Sequence, residues 1–390
     1  MSSLIRDLPG STAEMLEVFA DVSLIRAALR FEAALAEAGA AQGLVPAEAA
    51  AAIAQVCAAL RPDPAALASE AAHAGTLAIP LVARLRAAVA ERSPEAARFV
   101  HKGATSQDLA DTVLVLQSRT AVDLVERDAG RLAAALAALA RRHAATPMLG
   151  RTLLQPALPI TFGLKAADWL LGVDSALGRL RREAGHALTL QFGGPVGTLS
   201  GLDGRGLQIA DALARSLDLP TPPLPWHARR EGVAGLAGAL AILTGAAGKI
   251  ARDLSLLAQG EVGEAFEPHV EGRGGSSAMA HKRNPTGCQF ALSAALRAPH
   301  LAATILSGLP QEHERGLGGW QAELPVMAEL FQLAHGAVSA MADVAEGLDL
   351  QPEALARNLA AADVGQDTAE AEALVRRALA AHAAQDERKT

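Results

Sequence analysis

The chain has 390 residues and a formal net charge of −7, and 51% of its residues are hydrophobic but only 3% aromatic. This length favours one large body with smaller flanking parts. The negative charge argues against a nucleic-acid-binding surface, so an anion site has to come from a few placed cations and helix ends. Tyrosine is absent and alanine and leucine are abundant, which predicts an all-α fold because strands favour aromatic and β-branched residues.

No feature of the sequence predicts a secreted or membrane-spanning protein. Cys57 and Cys288 lie too far apart for a metal-ligand spacing or a disulfide framework. Residues 1–15 lack the apolar core of a signal peptide. The uncharged run between Glu231 and Lys249 is short and rich in glycine and alanine, as in a buried core helix. We therefore expect a cytoplasmic protein with no membrane partner.

Apolar residues recur at three- and four-residue steps and predict long helices. The expected helices cover residues 12–42, 46–60, 64–92 (interrupted by Gly75 and Pro80), 107–145, 160–190, 231–265, 285–308 and 322–347. They predict an elongated central bundle over residues 105–345, preceded by a helical domain (1–104) and followed by a short helical appendix (346–390). Such a bundle has more apolar surface than one chain covers, which predicts an oligomer.

Three polar loops interrupt the helices. In the first, residues 101–108, Thr105 and Asp108 have the spacing of a capping box. Thr105 either caps a helix and does no more, or joins Ser106 and exposed N–H groups in binding a carboxylate. In the second, residues 150–159, the donors for an anion are Arg151, Thr152 and Gln155, and the alternative is a plain helix-to-helix connector.

The third loop, residues 274–285, combines glycines and hydroxyls with Lys282 and Arg283. We expect Asn284 to cap a helix that begins at Pro285, so that the positive helix end faces the loop. This chemistry suits an anionic ligand.

Two other segments are weaker candidates. Residues 245–250 lack the spacing of a phosphate loop, and the acidic residues of 261–271 predict a solvated or salt-bridged helix end rather than a metal site.

Together the three loops resemble the three motif regions of the fumarase/aspartase superfamily, over about residues 10–350. This resemblance implies an all-helical homotetramer without a cofactor, whose active sites are each assembled from three subunits. It also implies that Ser276 transfers a proton and that Lys282 and Asn284 hold the substrate carboxylate as negative charge develops on it.

Further segments match the cycloisomerase branch of the superfamily better than its other branches. They are Ala78–Val82, Val100–Asp108, Gln191–Leu199, Trp226–His227, Glu312–Arg315 and Trp320–Glu323. The branch implies closure of a carboxymuconate, a small tricarboxylate, to a lactone in protocatechuate breakdown by the β-ketoadipate route. The third carboxylate would need further cations, for which Arg230, His313 and Arg315 are candidates.

Two departures from the superfamily pattern leave alternatives open. Leu153 stands where many members carry a histidine, and Ala280 replaces a proline. His101 and His73 are then possible proton-transfer residues, although either could be a structural histidine. One alternative is a fumarate-releasing lyase similar to adenylosuccinate lyase, and another is a non-catalytic relative that keeps the fold.

Overall fold

Shorter helices form the N-terminal part of the chain. The computed structural model describes residues 4–275, 279 and 282–387. The N-terminal helices are α1 (Leu4–Asp7), α2 (Ala13–Val18), α3 (Asp21–Ala41), α4 (Ala47–Ala59), α5 (Pro64–Ala74), α6 (Ala78–Arg92) and α7 (Pro94–Ala97). The expected helix 12–42 is split because Ala20 has an extended backbone between α2 and α3. Gly75 ends α5 as expected, whereas Pro80 lies in the first turn of α6, where proline is tolerated.

A bundle of long helices forms the centre and confirms the all-α prediction. Its helices are α8 (Ser106–Arg142), α9 (Phe162–Ala187), α11 (Glu231–Leu257), α12 (Thr286–Ser307) and α13 (Gly319–Glu346), with α10 (Gly206–Leu217) packed against α3. Within the bundle, α11 contacts α9, α12 and α13, and α8 contacts α9 and α13. Their apolar stripes meet in a core that is continuous with that of the N-terminal helices. The three-domain division remains a prediction.

Glycine allows α11 and α12 to approach closely. A Cβ added at Gly248 would lie 2.5 Å from the Cβ of Ala295, so a larger residue would push the helices apart. Residues 245–250 therefore belong to a packed helix. In length and composition α11 and α12 could each cross a membrane, but 61% of the apolar window of α11 is buried within the protein, as expected of a core helix. In α12 the buried share is 28%.

The second polar loop is a β-hairpin rather than a plain connector. Strands β1 (Pro147–Thr152) and β2 (Gln155–Thr161) pair antiparallel, and Thr152 faces Gln155 beside the tip. Leu153 and Leu154 form the tip with φ values of 51° and 64° and are largely exposed. A second pair joins β3 (Ala265–Phe266) to β4 (Asp349–Leu350).

The end of α11 differs from expectation. Helix α11 ends at Leu257 rather than 265, because the chain turns through Gly260 and Gly263, so Glu261 and Glu264 do not share a helix face. Two further helices follow residue 350, namely α14 (Pro352–Ala362) and α15 (Ala369–Glu387), and they pack on the hairpin and on α9. His382 Nδ1 lies 2.7 Å from Asp174 Oδ2 and fastens α15 to α9.

Candidate active site

Asp108 organises the first polar loop. Its Oδ2 accepts hydrogen bonds from the backbone N–H groups of Thr105 and Gly194, both at 2.9 Å. Its Oδ1 accepts from Gly193 N at 2.9 Å and lies 2.7 Å from His227 Nε2. The carboxylate is fully buried. It therefore joins the start of α8 to two segments far along the chain, beyond the capping role expected of it.

Arg315 lies against the hydroxyls that begin α8. Its Nη1 donates to Thr105 Oγ1 at 2.7 Å, and its Nη2 donates to Ser106 Oγ at 3.3 Å. Its Nε is buried and has no hydrogen-bond partner among the described residues. His313, two residues earlier, is exposed and has a left-handed backbone with a φ of 47°. The structure thus brings three of the expected binding residues together at a helix N-terminus, where an anion is stabilised.

His101 is paired with a carboxylate that sequence reasoning missed. Its Nδ1 lies 2.6 Å from Glu32 Oε1, and Glu32 is only 1% exposed. Burial disfavours the imidazolium, but the hydrogen bond and charge of Glu32, together with the charge of Asp108, raise the pKa of His101 above its ordinary value. A carboxylate within the apolar stripe of α3 is the signal that could have identified this pair.

Arg230 lies in the core rather than at a binding surface. Its guanidinium donates to both oxygens of Asp111 at 2.8 and 2.9 Å and also contacts Glu323. Arg230 and Glu323 are each 1% exposed, and Asp111 is fully buried. The guanidinium also lies over the Trp226 ring, 4.8 Å from its centroid. Since two carboxylates already surround it, this geometry argues against the prediction that Arg230 binds a substrate anion.

The hairpin presents Thr152 and Gln155 as exposed side chains next to its tip. One residue further from the tip, Arg151 forms a bidentate ion pair in which it donates to Glu264 at 2.8 and 2.7 Å. Asn358 of α14 also donates to Glu264, at 2.8 Å. The donor Arg151 of the second loop is therefore already paired, while Thr152 and Gln155 are accessible.

The third loop does not expose a free helix end. Helix α12 begins at Thr286, and Glu267 accepts hydrogen bonds from Gly287 N at 3.0 Å and Cys288 N at 2.7 Å. The prediction that Asn284 caps this helix is wrong, because its Nδ2 instead donates to Gly275 O at 3.2 Å. The chain's own carboxylate thus occupies the helix end that we expected to face a ligand.

Lys282 and Asn284 line a small cavity of about 130 Å³ beside this loop, together with Arg273 and Arg283. Arg283 is also tied to Asp349 at 3.1 Å and lies over the Phe266 ring. The predicted proton-transfer residue, Ser276, lies outside the described residues, as does Ala280. Within the part of the chain that is described, no cluster of three or more His, Cys, Asp or Glu side chains is arranged to hold a metal ion.

Each loop contacts a different part of the chain. The first loop meets the 191–199 segment and Arg315, the hairpin meets α14, and the third loop meets Glu267 and Asp349. Among the residues that the structure describes, no contact joins all three loops into one pocket.

Comparison with known proteins identifies the family. A family model described as "Lyase" matches residues 9–299. The 3-carboxy-cis,cis-muconate cycloisomerase of Bradyrhizobium diazoefficiens is 50% identical over 349 residues, which cover 90% of this chain and 77% of that protein. The enzyme of the same name from Pseudomonas putida is 45% identical and covers 92% of this chain and 85% of its own length.

A solved structure is similar over nearly the same span. The crystal structure of the 3-carboxy-cis,cis-muconate lactonizing enzyme from Pseudomonas putida matches with a TM-score of 0.87 at 44% identity. The match covers 91% of this chain and 79% of that one. The chain therefore belongs to the lyase family, within the fumarase/aspartase superfamily.

Proposed function

We propose that this protein is a 3-carboxy-cis,cis-muconate cycloisomerase, which closes its substrate to 4-carboxymuconolactone in protocatechuate catabolism by the β-ketoadipate route. The observation that carries the proposal is the identity of 50% over nine-tenths of the chain to an enzyme of that name. The similarity in fold to a lactonizing enzyme, with a TM-score of 0.87, supports it.

The reaction is an intramolecular addition. One carboxylate oxygen of the substrate attacks one carbon of a C=C double bond and forms a new C–O bond. The π electrons of the double bond move to its other carbon. A proton delivered to that carbon completes the lactone, so the product is an isomer and no redox cofactor enters the balance. Negative charge that develops next to a second carboxylate is stabilised by cations and N–H groups placed around it.

The resemblance of the loops to the superfamily motifs supports the following roles. Ser276 delivers the proton, and Lys282 and Asn284 hold the carboxylate into which charge is drained. Arg315 acts with Thr105 and Ser106 on another carboxylate of the tricarboxylate, with His101 as a further cation beside them. Serine is a poor acid or base at its free pKa, so the cationic loop has to stabilise its alkoxide.

The remaining donors complete the contacts with the substrate. Thr152 and Gln155 reach the site from the hairpin of another subunit, and His313 contributes from the segment that carries Arg315. The exposure of these side chains supports their proposed contacts with the substrate. Thr152 and Gln155 are exposed beside the hairpin tip, and His313 is exposed two residues before Arg315. Arg230 has no part in this proposal.

The working form is a cytoplasmic homotetramer with shared active sites. The apolar face of α12 supports this proposal, because Leu296 and Leu306 are 69% and 50% exposed in the single chain. Large exposed apolar side chains on a long bundle helix are typical of a subunit interface. Oligomerisation would also bring the three loops within reach of one another.

An assay with 3-carboxy-cis,cis-muconate tests the function. The purified chain should remove the diene absorbance of this compound and yield the lactone. Formation of fumarate from adenylosuccinate, with no change in the muconate, would support the fumarate-releasing alternative. Inactivity toward both compounds would favour the non-catalytic alternative and overturn the proposal.

A further inference from the structure

Glu32 is a buried carboxylate that is paired with His101. It lies on α3, whose neighbouring Phe31 and Leu35 belong to the apolar core. Its Oε1 lies 2.6 Å from His101 Nδ1, while its Oε2 is buried and has no hydrogen-bond partner in the described part of the chain. A buried carboxylate is costly unless it is paired. The imidazole of His101 is therefore the group that compensates the charge of Glu32.

The backbone of His101 is held in an unusual conformation. Its φ is 62°, in the left-handed region that residues other than glycine rarely adopt. The next turn is packed closely, since a Cβ on Gly103 would lie 2.3 Å from a side-chain atom of Leu202. A strained backbone persists where surrounding contacts determine it. Here it turns the imidazole toward Glu32, just before the helix start that carries Thr105 and Ser106.

Charged groups from three helices act on the imidazole. Glu32 of α3 and Asp108 of α8 favour its protonated form, whereas Arg86 of α6 opposes it. Asp108 is itself tied to His227 and three backbone N–H groups. Cys57 of α4 is another neighbour of Glu32, and burial together with Glu32 raises the pKa of its thiol to about 12. The thiol therefore remains neutral. Glu32 is the dominant partner of His101, because its hydrogen bond is the strongest influence that raises the pKa of the imidazole.

We propose that Glu32 is a positioning residue for the lactonising site, one that holds His101 by Nδ1 and keeps its Nε2–H as a cationic donor for a substrate carboxylate. The inference rests on the proposed function for the identity of the substrate. The pairing and the protonation of His101 can be measured without any substrate. The geometry assigns Nδ1 to Glu32, so Nε2 is the nitrogen left to meet a ligand.

Hydrogen exchange at the imidazole C2, followed by mass spectrometry of the peptide that contains His101, tests the pairing in the full-length protein. In the wild type we expect a titration midpoint above that of an ordinary histidine. Glu32→Gln should lower this midpoint, since the amide carries no charge. Glu37→Gln is the matched control, because Glu37 lies on the same helix but is exposed. A wild-type midpoint at or below the ordinary value would overturn the proposal even if Glu32→Gln failed to fold.

The pH profile of kcat/KM tests the link to the site. At pH values above the wild-type midpoint, Glu32→Gln should lose about tenfold in kcat/KM for each pH unit by which the His101 midpoint falls. Most of the loss in kcat/KM should come from a higher KM, and Glu32→Asp should restore part of the kcat/KM. A uniform loss at all pH values, with the His101 midpoint unchanged, would assign Glu32 a purely structural role. If the wild type did not convert the muconate at all, the proposed function would fail while the exchange measurement still decided the pairing.

Discussion

Arg315 Nη1 lies 2.7 Å from Thr105 Oγ1, although 210 residues separate the two along the chain. This contact joins the segment before α13 to the N-terminus of α8, and Ser106 shares the same guanidinium. A planar guanidinium that meets two hydroxyls at a helix N-terminus is well suited to binding a carboxylate.

Arg315→Lys should reduce kcat/KM for the muconate by roughly 10- to 100-fold, because an ammonium cannot reproduce the fork of a guanidinium. Steady-state kinetics would measure this loss. Arg297→Lys is the control, since Arg297 forms an exposed ion pair with Glu329. Equal kinetics of the Arg315 variant and the wild type would remove Arg315 from the site.

Arg230→Met should destabilise the fold by about 3–5 kcal/mol, because Asp111 and Glu323 would be left as unpaired buried carboxylates. Urea unfolding of this variant measures the change. The neighbouring Arg229→Met should cost less than about 1 kcal/mol, since the Arg229–Glu231 pair is exposed. A variant of Arg230 with normal stability and a raised KM would instead restore the prediction that it binds substrate.

Glu267→Gln should destabilise the protein by about 1 kcal/mol, as expected for a weakened cap on α12. The carboxylate accepts from two helix N–H groups, and an amide replaces the charge that the helix dipole favours. Chemical unfolding curves would be compared with those of Glu271→Gln, whose side chain is exposed in the same segment. Identical unfolding midpoints for the two variants would contradict the capping role.

Mixing two inactive variants tests the shared site. Ser276→Ala and Arg315→Ala should each be nearly inactive alone, whereas coexpression should recover part of the activity. If the two residues of one site come from different subunits, some mixed sites receive both intact residues. Coexpression of Ser276→Ala with the double variant is the control and should recover nothing. A lack of recovery in properly mixed tetramers would show that both residues come from one subunit.

His335 should make the protein less stable in acid. Its imidazole is fully buried, with Nδ1 2.9 Å from Thr12 Oγ1 and Nε2 2.9 Å from Asp128 Oδ2. Burial lowers the pKa of His335 despite the charge of Asp128. The unfolded chain therefore binds a proton more readily, so this contribution is fully present above about pH 6.5 and is lost as the pH falls through the lowered pKa.

The measurement compares the free energy of unfolding at about pH 7.5 and about pH 5.5 in the wild type and in His335→Gln. The variant should lose less stability on acidification than the wild type. His101 has a raised pKa and stabilises the fold below about pH 6.5, which is the opposite contribution. Since His101 is present in both proteins, this contribution cancels when their changes in unfolding free energy are compared. The exposed His300 supplies the control, His300→Gln. An equal loss in all three proteins would refute the role of His335.

The sequence alone determined the fold class and most helix bounds. Apolar residues at helical spacing depend on local order, and α8, α12 and α13 begin and end within about three residues of the prediction. The motif loops were also recognisable, because their residue types and order are local information. Their resemblance to one superfamily agrees with the family model and the relatives.

The tertiary structure decided which charges are free to act. From the sequence, Arg230 and Arg315 were equivalent cations, but packing surrounds Arg230 with two carboxylates and places Arg315 against two hydroxyls. Glu32 and Glu267 likewise acquire their partners through contacts that no local pattern records. The contribution of a charged side chain to stability or binding depends on its burial and on neighbours distant in the chain. Only the folded structure specifies both.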